Sequence, residues 1–435
     1  MTTLPESVVE KKPMVLYNLF PLLAGHFDAW QPHFERAADL GCDWVFVNPI
    51  QQPGASSSLY SIADYFQLNS ALVDADSATS PEDQLRQALS AAREKGLKVM
   101  VDLVINHCAA DSHLITEHPT WFARNPDASL VHPSCQENGE TVVWQDLVRF
   151  DHQQTTDPEG LFHYCQEIVN YLVGLGFSGF RCDAAYQIPT SVWQRLIEDT
   201  KSKDPDIVFA AETLGCTPDQ TRETAVAGFD YIFNSSKWWD FESDWLLEQY
   251  QQTRTVASSI SFPESHDTAR LMEEADGNVN VLKQRYLFAA LFSTSVMFPV
   301  GYEFGFRRPL HVVDSRPEHW EQTTVDLQDY IKRVNNLKTN QPLFCEETVN
   351  TLIPSPNSEV LVLHKVSTQS GQEALVILNK DPHNRQPFRS SDLNGVVKGK
   401  PIRNVSPEYS SLAVRRPQPF SHDLDPGQGL VWLIN

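Results

Sequence analysis

The strongest constraint on this chain is a rhythm of short apolar runs, each stopped by a polar or charged residue and separated by stretches of helix length. The run from Leu175 to Ala185 is broken by glycines and ends in Arg181 and Asp183. Phe177 to Phe180 suits a buried strand, and the two-residue spacing places Arg181 and Asp183 on one face at its carboxyl end. Further strands are predicted at Met14–Phe20, Asp43–Ile50, Leu97–Ile105, Asp206–Ala211, Phe229–Phe233, Ser258–Phe262 and Ser295–Val300. Helical stretches fall between them. Ser80-Pro81-Glu82-Asp83 opens one with an N-cap serine and a proline in the first turn, and Gly96 closes it. Eight strands alternating with helices over about 300 residues imply a (β/α)8 TIM barrel. A doubly wound sheet would want a glycine-rich phosphate loop after its first strand, and Tyr17 to Gly25 contains none.

The rhythm lapses from Cys108 to about Gly160, a segment rich in Asp, His, Pro, Asn and Gln with Trp121 and Trp144 as anchors. This reads as a small loop-rich insertion after the third strand, packed over the barrel mouth. Beyond Phe344 the pattern changes to period two, in Glu359–His364, Ala374–Asn379 and Gly429–Ile434, which predicts a C-terminal antiparallel β domain. The expected division is a catalytic barrel at 13–340, the insertion at 108–160 within it, and a C-terminal β-sandwich at 345–435. A formal charge of −22 argues against nucleic acid or an anionic membrane as partner. Seven scattered cysteines without Cys-x-x-Cys spacing suggest neither a zinc site nor a disulfide framework. The polar first dozen residues and the lack of any membrane-length apolar run make a cytoplasmic location the expectation. Oligomeric state is left open.

Four strand ends bring polar residues to one mouth: Asp102 and Asn106-His107 from the third, Arg181 and Asp183 from the fourth, Glu212 from the fifth, and Glu264, His266 and Asp267 from the seventh. A lone strand-end aspartate is more often a cap, but four such sets in order on one barrel are hard to attribute to caps. Nucleophilic and general-acid work by paired carboxyls needs one ionised and one protonated, and two features separate such a pair. Arg181 beside Asp183 should hold that carboxylate ionised, whereas the apolar approach Ile207 to Ala211 should raise the pKa of Glu212.

These stretches resemble the alpha-amylase family, glycoside hydrolase family thirteen. Asp102–His107, Gly179–Asp183, Ala211-Glu212 and Phe262–Asp267 are similar to its four signature regions. Weaker likenesses lie at Gly41–Ile50, Gln145–Leu147 and Met297–Gly305, and Tyr60–Tyr65 resembles its aromatic subsite element. The resemblance implies a retaining enzyme acting on α-glucans or oligosaccharides, with Asp183 as nucleophile, Glu212 as general acid/base and Asp267 as the third carboxylate. It further implies sugar contacts from Tyr60, Asp102, His107 and His266, with Arg181 keeping Asp183 charged. No cofactor is required. Asn106 and Asp146 match positions that often ligate calcium, so calcium stays an optional ligand.

Tyr186 and Gln187 stand where amylases commonly have Lys-His, and Ser265 replaces the usual Asn. Glu117–Phe122 and Trp193–Glu212 resemble the bacterial maltosyltransferases that use maltose 1-phosphate, although His266 departs from that branch. Hydrolysis or general α-glucan transglycosylation therefore ranks ahead of the phosphate donor. A catalytically silent carbohydrate-binding relative ranks last, because such relatives usually lose a carboxylate. Trp238 and Trp239 read either as a cover that favours a sugar acceptor over water or as plain core.

Overall fold

The computed structural model describes residues 11–137, 140–389, 393–408 and 421–434. Eight parallel strands close a barrel: Val15–Leu19, Trp44–Val47, Lys98–Leu103, Gly179–Cys182, Val208–Glu212, Tyr231–Phe233, Ser258–Ser261 and Ser295–Pro299. They run round it in chain order, and the first pairs with the eighth. The TIM-barrel reading holds, with most strands shorter than their apolar runs by one to four residues.

Strand alternation sorts the side chains. Leu16, Trp44, Phe46, Met100, Ala210, Phe233 and Met297 fill the barrel interior. Tyr17, Val45, Val101, Phe180, Cys182 and Phe209 point outward into the larger core beneath the helices. Asp102, Arg181 and Glu212 each follow an inward-facing residue by two positions, so they continue the inward rows at the carboxyl end. Gly179 is required there, since a Cβ would lie 2.8 Å from the Val208 carbonyl oxygen.

The insertion is built on two short antiparallel pairs, His107–Ala109 with Leu147–Arg149 and Ser134–Glu137 with Glu140–Val143. Trp121 anchors it as expected: its ring stacks on His118 at 3.7 Å and its indole N–H donates to Asp157. Trp144 does not, being 40% exposed. Its neighbours Val143 and Gln145 are also open to solvent.

After the helix Gln328–Asn340 comes a five-stranded antiparallel sheet ordered Val349–Leu352, Val360–Val366, Glu373–Asn379, Gly429–Ile434, Ile402–Asn404. Its period-two pattern has a physical reason on both faces. Leu361, Leu363, Val376, Leu378 and Leu433 join the barrel's outer core, whereas Val362, Leu375, Ile377 and Trp432 form a second core with Phe388 and Leu424. Among the described residues six cysteines are free, and no helix is long and apolar enough to cross a membrane.

Candidate active site

The register of the barrel creates the site. Arg181 lies opposite Asp102 on the third strand and Ala210 on the fifth, so its side chain rises between Asp102 and Glu212. One amino nitrogen, Nη1, donates to both Asp102 oxygens at 2.8 and 2.9 Å and to Asp183 Oδ1 at 2.8 Å. The other, Nη2, is 3.1 Å from Glu212 Oε2 and 3.8 Å from Asp267 Oδ2. A single guanidinium thus faces four carboxylates. Just past Asp183 the chain turns through Ala184 at φ 43°, a conformation unusual for a residue with a Cβ. That turn aims the Ala184 N–H at Glu212 Oε2, 2.7 Å away. That hydrogen bond ties the two carboxylate-bearing segments together and offsets the strain of the turn.

Tyr60 joins the cluster from the loop between Gln51–Pro53 and Ile62–Leu68. Its hydroxyl donates to Asp102 at 2.6 Å, accepts from Asn48 at 2.9 Å, and lies 2.7 Å from His266 Nε2. The same nitrogen is 3.0 Å from Asp267 Oδ2, and the His266 and Tyr60 rings lie parallel, 6° apart. With Tyr60 donating to Asp102, Nε2 is left to donate toward Tyr60 and Asp267. The chain Asn48–Tyr60–Asp102–Arg181 thereby fixes the donors that face Asp102.

The electrostatics differ from the expectation that Arg181 alone would keep Asp183 in the ordinary ionised range. Burial pushes Asp183 up to about 6 and Glu212 up to about 7, outweighing Arg181 in both. The guanidinium is shared among several carboxylates, and their mutual repulsion adds to the cost of burial. Asp267 is the carboxyl held low: burial opposes this, but His266 and Arg181 together overcome it. The expected order survives, with Asp183 more acidic than Glu212, but the two are not driven in opposite directions.

The other sequence-derived candidates separate. Asp102 has no exposed surface and lies beneath Arg181, so it reaches the mouth only through Arg181 and Tyr60. His107 is buried with Nε2 3.2 Å from the Tyr60 carbonyl oxygen, and burial lowers its pKa to about 4, leaving it neutral. Glu264 is turned away into an ion pair with Arg270 at 2.8 Å. Asn48, not singled out from the sequence, positions Tyr60; its place at the carboxyl end of the second strand was the available signal.

Two residues are few for a calcium ion, which wants six to eight oxygens. Asn106 donates its amide to Gln187 Oε1 at 3.1 Å, and the Asp146 carbonyl already accepts from Ala110 and Ser61. Among the described residues no group of three or more His, Cys, Asp or Glu could hold a metal.

Barrel, insertion and strand-end motifs in this order resemble those of the alpha-amylase family, and the chain is alpha-amylase-like in fold and motif. Its sequence likeness is to glucan-transferring members. Residues 9–128 match the family described as glycogen debranching enzyme, glucanotransferase domain. The chain is similar to the alpha-1,4-glucan:maltose-1-phosphate maltosyltransferase of Burkholderia pseudomallei, 25% identical over 77% of this chain and 30% of that protein. It is also similar to the enzyme of that name from Myxococcus xanthus, 24% identical over 82% of this chain and 56% of that protein. The chain thus spans between about a third and somewhat over half the length of these two relatives. In fold it matches an alpha-amylase from Lactobacillus plantarum, with TM-score 0.74 and 18% identity over 97% of this chain and 99% of that one. A Bacillus licheniformis trehalose-6-phosphate hydrolase matches at TM-score 0.74 and 14% identity, over 98% and 99% of the two chains. At such identities the structural likeness shows the fold alone.

Proposed function

We propose that the chain is a retaining glycoside hydrolase or transglycosylase that cleaves α-glucosidic bonds of α-1,4-glucans or maltooligosaccharides through a covalent glycosyl-enzyme. The observation that carries this reading is the guanidinium of Arg181, whose two amino nitrogens contact Asp183 and Glu212 at the mouth. Carboxyls sharing one guanidinium suit the closer spacing of a nucleophile and acid/base, roughly 5–5.5 Å, better than the wider gap that admits an inverting water. Asp183 attacks the anomeric carbon while Glu212 protonates the leaving oxygen. Glu212 then takes a proton from the water or sugar hydroxyl that releases the glycosyl group. Asp267 and His266 grip ring hydroxyls at the rim, and Tyr60 and His107 shape the wall behind them. In this reading the barrel of 13–340 carries the reaction, the insertion at 108–160 walls the cleft and the β domain at 345–435 buttresses it.

A second reading, maltosyl transfer from maltose 1-phosphate, is favoured by what the sequence relatives are named for. Against it stands the charge of the cleft. Among the described residues lining the cavity beside Glu212, Arg181 is the one arginine or lysine, and four carboxylates already surround it. A phosphate leaving group would find no free cation there. A catalytically silent role is disfavoured because all three carboxylates are retained.

Product analysis decides among these. Maltooligosaccharides alone should yield shorter sugars, or both shorter and longer ones. Efficient chain extension from maltose 1-phosphate, with no action on maltooligosaccharides in the absence of phosphate, would establish the second reading instead.

A further inference from the structure

The first strand brings a polar residue of its own into the barrel. Leu16 faces inward, so Asn18, two positions on, continues that row at the carboxyl end, as Asp102 and Arg181 do on their strands. It has no exposed surface, and neither has Asn48 just past the second strand. Asn18 Nδ2 donates to the Phe46 carbonyl at 3.2 Å and to Asn48 Oδ1 at 3.0 Å. Its own Oδ1 is buried without a hydrogen-bond partner among the described residues. A bare buried oxygen is costly, and an apolar side chain would fill this place without that cost. What the amide supplies in return is its pair of donated bonds.

Those bonds have a fixed direction. A backbone carbonyl only accepts, so Phe46 holds the amino group of Asn18 toward itself and toward Asn48. Asn48 must answer with its oxygen, which turns its own amino group to the Tyr60 hydroxyl, 2.9 Å away. The Tyr60 oxygen thus accepts from Asn48, and its proton is left for Asp102 Oδ2 at 2.6 Å. Were Asn48 reversed, its oxygen would compete for that proton, and Tyr60 and Asp102 would meet oxygen to oxygen. Asp102 in turn holds Arg181 through both of its oxygens, and Arg181 holds Asp183. A direction set at a backbone carbonyl of the second strand is thereby passed, by way of Asn18, to the guanidinium that grips the nucleophile.

We propose that Asn18 is a positioning residue that sets the direction of the hydrogen bonds running from Asn48 through Tyr60 to Asp102, and so keeps Arg181 and Asp183 aligned for attack. It acts through these side chains and touches no substrate. The inference rests on the retaining glycosidase reading above and adds to it a residue of the first strand on which turnover depends.

The test is a double-mutant cycle on the full chain, Asn18→Leu and Tyr60→Phe singly and together, read by steady-state cleavage of maltooligosaccharides. Asn18→Leu should lower kcat roughly tenfold and change KM by less than about threefold, because the rim groups that grip the sugar keep their places. Tyr60→Phe removes the hydroxyl through which the direction is passed, so adding Asn18→Leu to it should lower kcat by less than about a further twofold. Asn18→Ala removes the same donors without adding a branch, and replaces Asn18→Leu in both arms if the leucine variant does not fold. An equal loss of kcat in both backgrounds would show that Asn18 acts through packing alone and overturn the proposal. A single variant with wild-type kcat, or one whose loss lies in KM, would overturn it as well. A wild-type chain that cleaves no maltooligosaccharide would instead overturn the glycosidase reading, and the role of Asn18 with it.

Discussion

Arg181 shows why a site residue has to be read with everything that shares it. A guanidinium two residues from an aspartate promises a fully ionised nucleophile. Surrounded by Asp102, Asp183, Glu212 and Asp267, it instead leaves Asp183 at about 6 and Glu212 at about 7. Asp183 must be ionised to attack, so kcat/KM should fall as pH drops through about 6. Glu212 must carry its proton, so activity should fall again as pH rises through about 7. A narrow bell between these limits in a pH–rate profile is expected; a plateau reaching pH 9 would remove Glu212 from the acid role. The same burial costs stability. Glu212 titrates about 7 when folded against an ordinary 4.5, so the folded state holds a proton that the unfolded chain has already released in that window. Its contribution is fully favourable below 4.5 and is lost as pH rises through 7. Glu212→Gln should therefore gain stability over wild type from pH 4.5 to pH 8, by on the order of 2–3 kcal/mol before the lost ion pair with Arg181 is subtracted. Urea unfolding at the two pH values measures it, and a gain that is equal at both would contradict this origin.

Elements contribute by where their ends fall. Strands three, four and five present Asp102, Arg181 and Glu212 as continuations of inward rows, whereas His266 and Asp267 arrive on the loop after strand seven, which leaves Asp267 about half exposed at the rim. A rim carboxylate already held ionised by His266 and Arg181 is suited to gripping a sugar as its ring flattens. Asp267→Asn should then lower kcat by roughly 100-fold or more while KM changes by less than about tenfold. The reverse pattern would make Asp267 a ground-state binding residue. The loops after strands three and four meet through the Asn106–Gln187 amide contact, so one of the two residues matching calcium-ligating positions is tied to a neighbouring side chain. A chelator should accordingly leave Tm unchanged. A drop of several degrees restored by added calcium would return Asn106 and Asp146 to a metal site.

For the molecule as a whole, a closed barrel with all three carboxylates at one mouth predicts stereochemistry independently of which sugar is bound. Attack by Asp183 and then by water or a sugar hydroxyl gives two inversions, so NMR of fresh product should show the α-anomer before mutarotation. A β-anomer would imply a water between the carboxyls and remove the nucleophile role of Asp183. The β domain packs against the barrel. One face of its sheet continues the core beneath the barrel helices, and Lys365 donates to the Phe292 carbonyl at 2.9 Å across that seam.

The sequence by itself determined the barrel, the order of its strands and the mouth at which the carboxylates collect. These depend on local periodicity, and a strand buried on both faces writes itself as an unbroken apolar run. Period two likewise announced the C-terminal sheet. Tertiary structure alone decided which of the polar strand-end residues share a proton and a charge. Asp102 and Glu264 look alike in the chain, each a carboxylate at a strand end, yet one underlies Arg181 and the other pairs with Arg270. Trp239 and Trp238 are adjacent, yet one is core and the other faces solvent. Trp121 and Trp144 divide the same way in the insertion. The pKa values were beyond local reading for the same reason: desolvation and the sharing of one guanidinium depend on residues more than 80 positions apart in the chain, such as Asp102 and Asp183.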